Sequence, residues 1–103
     1  MPIFNFYGTS KEHVQNFANR IDEISEALKA PNSAFSFWNI DSDSIGQENL
    51  IKIEIKWKKR SEDMKSWIAN FSQQFFSKIN KDYQTIILFT EIDDNYYKTG
   101  IKS

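Results

Sequence analysis

Apolar positions along this chain switch between two periods, every second residue in short runs and every third or fourth in longer ones. The run Pro2-Ile3-Phe4-Asn5-Phe6-Tyr7 is rich in β-favouring residues, and Gly8 ends it. Proline is tolerated at the first position of such a strand because the N–H it lacks spoils little of the ladder. Thr9-Ser10-Lys11-Glu12 then reads as a capping box, a hydroxyl meeting a free backbone N–H and Glu12 reaching back. Val14, Phe17, Ile21, Ile24 and Leu28 follow at steps of three and four, which predicts one helix with one apolar face, stopped near Ala30 by Pro31.

Phe35-Ser36-Phe37-Trp38-Asn39-Ile40 predicts a second strand, and the polar stretch from Asp41 to Asn49 a loop. In the third strand Ile51, Ile53, Ile55 and Trp57 alternate with Lys52, Glu54 and Lys56, so one face is wet and the register is well specified. Ser61 is placed to cap a second helix, with Glu62 and Asp63 in its positive first turn. Met64, Trp67, Ile68, Phe71, Phe75 and Ile79 form the expected stripe of that helix. The unbroken Ile86-Ile87-Leu88-Phe89 core of the last run predicts a strand buried on both faces, hence central. Beyond Asp93 the tail is polar apart from Tyr96, Tyr97 and Ile101.

Two consecutive β-α-β units follow from this order, and each long crossover favours parallel pairing within its unit. The expected fold class is α/β, in the form of an α+β two-layer sandwich: a four-stranded sheet with two helices on one face. Residues 1–103 are expected to form a single domain. The other sheet face would carry part of Phe35, Phe37, Trp38, Trp57 and the last strand, more apolar surface than a monomer of this size hides, so self-association is expected.

Composition narrows the function classes. With a formal net charge of −1 and interleaved signs, the chain has no broad positive field, and neither nucleic acid nor a membrane surface is an expected partner. It contains no cysteine, which removes disulfides, thiolate nucleophiles and thiolate metal sites. No cofactor and no metal is expected. Asn5, Gly8, Lys11 and Glu12 interrupt any leader-like apolar stretch, so a cytoplasmic location is the expectation. Nine Phe, four Tyr and three Trp supply large areas for burial or for an interface.

Four segments in order resemble one family: Met1-Pro2-Ile3-Phe4 at the head of a strand, Ala34-Phe35-Ser36-Phe37, Ile53-Glu54-Ile55-Lys56-Trp57 followed by Arg60, and Asn95-Tyr96-Tyr97-Lys98-Thr99-Gly100. Together with the doubled β-α-β plan they make the chain similar to the tautomerase superfamily, in a bacterial branch related to macrophage migration inhibitory factor. The resemblance implies a homotrimer in which the amino-terminal proline, here Pro2, sits in a pocket at a subunit boundary. There its secondary amine would move a proton between carbon and oxygen of a small 2-keto or enol carboxylate, a keto-enol tautomerisation. Burial beside positive groups disfavours a protonated amine and leaves a neutral base. Lys29 and Arg60 are the implied cations for the developing enolate, with Trp38, Tyr96 and Tyr97 as further residues toward a small anionic or aromatic ligand. The chain also departs from the pattern. The turn after the first helix reads Ala30-Pro31-Asn32-Ser33 with only Lys29 before it, Trp38 stands where relatives carry an acidic residue, and Ile86 and Leu88 stand where they carry polar ones.

Plainer readings stand beside these. Pro2 also suits the role of a first strand residue, and with Met1 attached its nitrogen is a tertiary amide without a basic lone pair. Lys56, Lys58, Lys59 and Arg60 either receive an anion or decorate a strand end. His13, in the first helical turn, reads as solvated, and Asp41, Asp43 and Glu48 as an acidic loop without calcium-site spacing. The residues leave open an isomerase and its alternative, a non-catalytic trimeric ligand-binding or structural protein on the same fold.

Overall fold

The computed structural model of the chain describes residues 2–42 and 45–92. Strand β1 (Ile3–Tyr7) is followed by helices α1 (Lys11–Ala18) and α2 (Ile21–Leu28), a single 3-10 turn (Asn32–Ala34) and strand β2 (Ser36–Ile40). Strand β3 (Leu50–Trp57), helix α3 (Glu62–Ile79) and strand β4 (Gln84–Glu91) repeat the plan. The sheet order is β2-β1-β3-β4, with β1/β2 and β3/β4 parallel and β1/β3 antiparallel at the centre. Two right-sized crossovers, each returning a strand parallel to its start, meet back to back through their first strands. The expected four-stranded sheet of two β-α-β units is what the chain forms.

Among the described residues three helices cover the sheet where two were expected. The first crossover breaks at Asn19 and Arg20, where the Arg20 N–H bonds the Phe17 carbonyl at 3.1 Å, three residues back, and tightens the turn. No proline or glycine causes the break. Arg20 instead holds it, its guanidinium forked onto Glu23 (2.6 and 3.0 Å) and lying 4.5 Å from the Phe71 ring centre. Helix α2 ends in a left-handed cap at Lys29 (φ 53°), two residues before Pro31, which precedes the 3-10 turn. Ser10 caps α1 and accepts from the His13 N–H at 3.2 Å, so the cap falls one residue later than a box on Thr9 and Glu12. Ser61 caps α3 as expected, accepting from the Met64 N–H at 3.2 Å.

All three helices pack on one face. Val14 and Phe17 of α1, Ile24 and Leu28 of α2, and Ile68 and Phe76 of α3 join Phe4, Phe6, Ile51, Ile53, Ile55 and Trp57 in one core. Phe17 is its hub, with the rings of Phe4, Phe6, Phe37, Phe71, Phe75 and Phe76 all within 6.2 Å of its centre. The stripe of α3 is rotated from the expected one: Phe76 and Ser72 are fully buried and Ile79 is exposed. Gly8, which ends β1, has φ 82°, and a Cβ there would lie 2.4 Å from the Leu50 carbonyl oxygen, so no other residue fits without movement.

Two expectations about the sheet are overturned. Phe35, Phe37 and Trp57 pack on the helix side, because Phe37 is the register partner of Phe4 and Trp57 shares the parity of Ile51, Ile53 and Ile55. Among the described residues strand β4 lies at the edge, paired only with β3, and exposes Ile86 and Leu88 (43% and 46%). The open face is therefore polar along its middle and apolar along its margins. Asn5 Nδ2 donates to Glu54 Oε1 at 3.2 Å, Lys56 lies 3.7 Å from the same carboxylate, and Lys52 lies over the Tyr7 ring at 4.2 Å. Trp38 on one side and Ile86 and Leu88 on the other flank this stripe.

Candidate active site at the Pro2 end of the sheet

One end of the sheet gathers the start of β1, the start of β2, the end of β3 and the end of β4, because the two central strands run in opposite directions. Pro2 sits there, fully buried, its carbonyl accepting the Ser36 N–H at 3.1 Å. One step beyond the Ile3–Lys56 pair, the β1–β3 register sets Pro2 against Trp57, and even positions of β1 and odd positions of β3 share the helix face. The Trp57 indole is fully buried and stacked on Phe89, with centroids 5.2 Å apart and planes 16° apart. Arg60 follows three residues on, in the short link to α3. Its guanidinium carbon lies 5.7 Å from the Trp57 ring centre, and its Nη1 donates to the Lys58 and Lys59 carbonyls at 2.9 and 3.4 Å. Carbonyl contacts within its own link fold the long side chain back toward Trp57.

The sequence-predicted residues divide. Pro2 and Arg60 reach the same end of the sheet through Trp57. Lys29 caps α2 and is exposed, facing a hollow lined by Ala27, Ser61, Asp63, Met64 and Trp67, beside the N-terminus of α3. Pro2 does not line that hollow. Trp38 stands three strand positions away on the open face, opposite Asn5, with its indole donating to Ser36 Oγ at 3.1 Å. Tyr96 and Tyr97 lie outside the described residues. Lys56 faces the open side, and Lys58 and Lys59 are exposed. His13 is half-buried beyond the far end of β1, where Thr9 Oγ1 meets its Nδ1 at 3.2 Å. Asp41 and Glu48 line a polar hollow with Gly8 and Asn49 at that far end, and Asp43 lies outside the described residues.

Trp57 is the residue at this end that sequence reasoning misplaced. Its alternation with Ile51, Ile53 and Ile55 carries the signal for its face, and only the antiparallel register of β1 and β3, which no local pattern encodes, sets it against Pro2.

A doubled β-α-β sheet with helices on one side and a proline heading its first strand is the architecture of the tautomerase superfamily, and the chain shares that fold. It belongs to the family described as a domain of unknown function, DUF1904, whose model matches residues 1–102. A domain of that family from Sebaldella termitidis is similar at 28% identity, with 98% of each chain covered and a TM-score of 0.86. The macrophage migration inhibitory factor-like protein of Entamoeba histolytica has the same fold at 15% identity, covering 96% of this chain and 95% of that one, TM-score 0.71. So does a wild-type fused 4-OT described as an asymmetric trimer, at 15% identity, covering 98% of this chain and 94% of the other, TM-score 0.70. No curated protein matches the sequence.

Proposed function

We propose that this chain is a tautomerase-like isomerase in which Pro2, freed of Met1, moves a proton between carbon and oxygen of a small 2-keto or enol carboxylate. The observation that carries the reading is the buried Pro2 at a sheet end whose β3 continues directly into Arg60. In the forward step the Pro2 nitrogen takes a proton from the carbon beside the carbonyl. The C–H electron pair forms the C=C bond as the carbonyl π pair moves onto oxygen. Returning the proton to that oxygen completes the enol and restores the neutral amine. Burial near a cation suits the amine to this work, because both disfavour its protonated form. Arg60 steadies the carboxylate and the developing oxyanion, with Lys29 as a second cation approaching from the neighbouring hollow. Trp38, Tyr96 and Tyr97 belong to this reading as contacts completed between subunits of a homotrimer.

Two supports favour assembly: the apolar margins of the open sheet face and the trimeric state of the fused 4-OT. Keto-enol turnover of phenylpyruvate by the processed chain and by Pro2→Ala tests the chemistry. A loss of at least 100-fold in kcat/KM is expected, and equal rates contradict Pro2 as the base. A second reading rests on Ile86 and Leu88, which stand where the resemblance calls for polar pocket residues: a non-catalytic trimer that keeps the fold for ligand binding or assembly. Saturable binding of phenylpyruvate without turnover is its signature.

A further inference from the structure

We infer that the Trp57 indole N–H is the hydrogen-bond donor that meets an oxygen of a small 2-keto acid at the Pro2 end, an inference that rests on the tautomerase-like reading. Trp57 is fully buried, and among the described residues its Nε1 has no hydrogen-bond partner. A buried indole N–H ordinarily finds an acceptor. A phenyl ring would stack on Phe89 as well and bring no stranded donor. The N–H is therefore a cost to the folded chain that a bound acceptor offsets.

Position and surroundings fit an oxygen as that acceptor. The register sets Trp57 directly across from Pro2 on the same face of the sheet, so a group handled by the Pro2 nitrogen lies beside the indole. The ring is held by the stack on Phe89, and a cation lies against each partner: Arg60 at 5.7 Å from the Trp57 ring centre and Lys65 at 5.9 Å from the Phe89 ring centre. A donor fixed in a water-free, positively flanked setting needs no reorganisation as negative charge grows on a carbonyl oxygen. Arg60 supplies positive charge beside Trp57, and Trp57 supplies the directed bond. The other unpartnered buried side chain among the described residues, the Ser72 hydroxyl, lies in the middle of α3.

The test is a titration of the 15N-labelled wild-type chain, begun at Pro2, with sodium phenylpyruvate. Three indole N–H signals are present, assigned by Trp38→Phe, Trp57→Phe and Trp67→Phe. The Trp57 signal is expected to move downfield and saturate, with the other two still. In Trp57→Phe the KM for phenylpyruvate is expected to rise at least 10-fold. A Trp57 signal that stays in place while phenylpyruvate is turned over overturns this inference and leaves the role of Pro2 standing. If neither the shift nor turnover is seen, both fall. Because the titration is made on the wild-type chain, it reads out even where Trp57→Phe folds poorly.

Discussion

The two faces of the sheet solve the same problem in different ways. The helix-covered face is closed within one chain: Phe4, Phe6, Ile51, Ile53, Ile55 and Trp57 are all fully buried under α1, α2 and α3. The other face keeps its middle polar through Asn5, Lys52, Glu54 and Lys56 and leaves Trp38, Ile86 and Leu88 uncovered at its margins. Apolar residues placed at sheet edges, beside unpaired strand backbone, are suited to meeting another copy edge on, whereas a uniformly apolar face would call for a lid over its centre. The difference teaches that the core and the surface proposed for assembly are built from separate residues, so each can be broken without the other.

The covered face yields the largest effect. Phe17→Ala removes the hub of six aromatic contacts and is expected to lower stability by about 3–5 kcal/mol, measured by urea unfolding. A loss under about 1 kcal/mol would show that the surrounding rings repack without it. On the open face Leu88→Lys leaves the core untouched and acts on assembly. Its light-scattering mass is expected to drop from three times the 12.2 kDa of one chain toward a single chain, with an unchanged far-ultraviolet spectrum. An unaltered mass would remove β4 from the interface.

The smallest effect sits on the outer surface of the helix layer. The Arg20 guanidinium, hydrogen-bonded to Glu23, holds that carboxyl below its ordinary value, with burial opposing weakly and the Arg20 and Lys78 charges adding to the lowering. A carboxyl whose folded value is depressed stabilises the fold above its unfolded value, and that contribution is lost as pH falls through the folded value. Glu23→Gln is expected to be slightly less stable than wild type at neutral pH and to match it in acid. The pair is open to solvent, with side chains 39% and 54% exposed, so 0.5 M salt should shrink the gap further. A gap that is constant with pH, measured by thermal unfolding, would assign the effect to packing on Phe71.

Strict alternation made β3 legible, and the Ser61 cap with its acidic first turn made α3 legible, because in both cases a single local pattern had one physical solution. The break at Arg20 was hidden because Val14, Phe17, Ile21, Ile24 and Leu28 keep the helical step across it, and the cause is an ion pair and a ring contact with α3. In β2 both parities are apolar, Phe37 one way and Trp38 the other, so no pattern selects its inner face; register with Phe4 does. Strand β4 read as central because its outer face is apolar, a property that an edge covered by another subunit shares with a buried strand. The candidate site was half legible. Pro2 and Arg60 were singled out through the family resemblance, while the neighbour that joins them, Trp57, depended on an antiparallel pairing between strands some fifty residues apart.

The proton transfer proposed for this site requires a secondary amine at Pro2, so the intact mass of the chain isolated from its native host is the most direct measurement. A mass short of the full sequence by one methionine residue is the predicted result. A chain that retains Met1 carries an amide at that nitrogen and contradicts the mechanism.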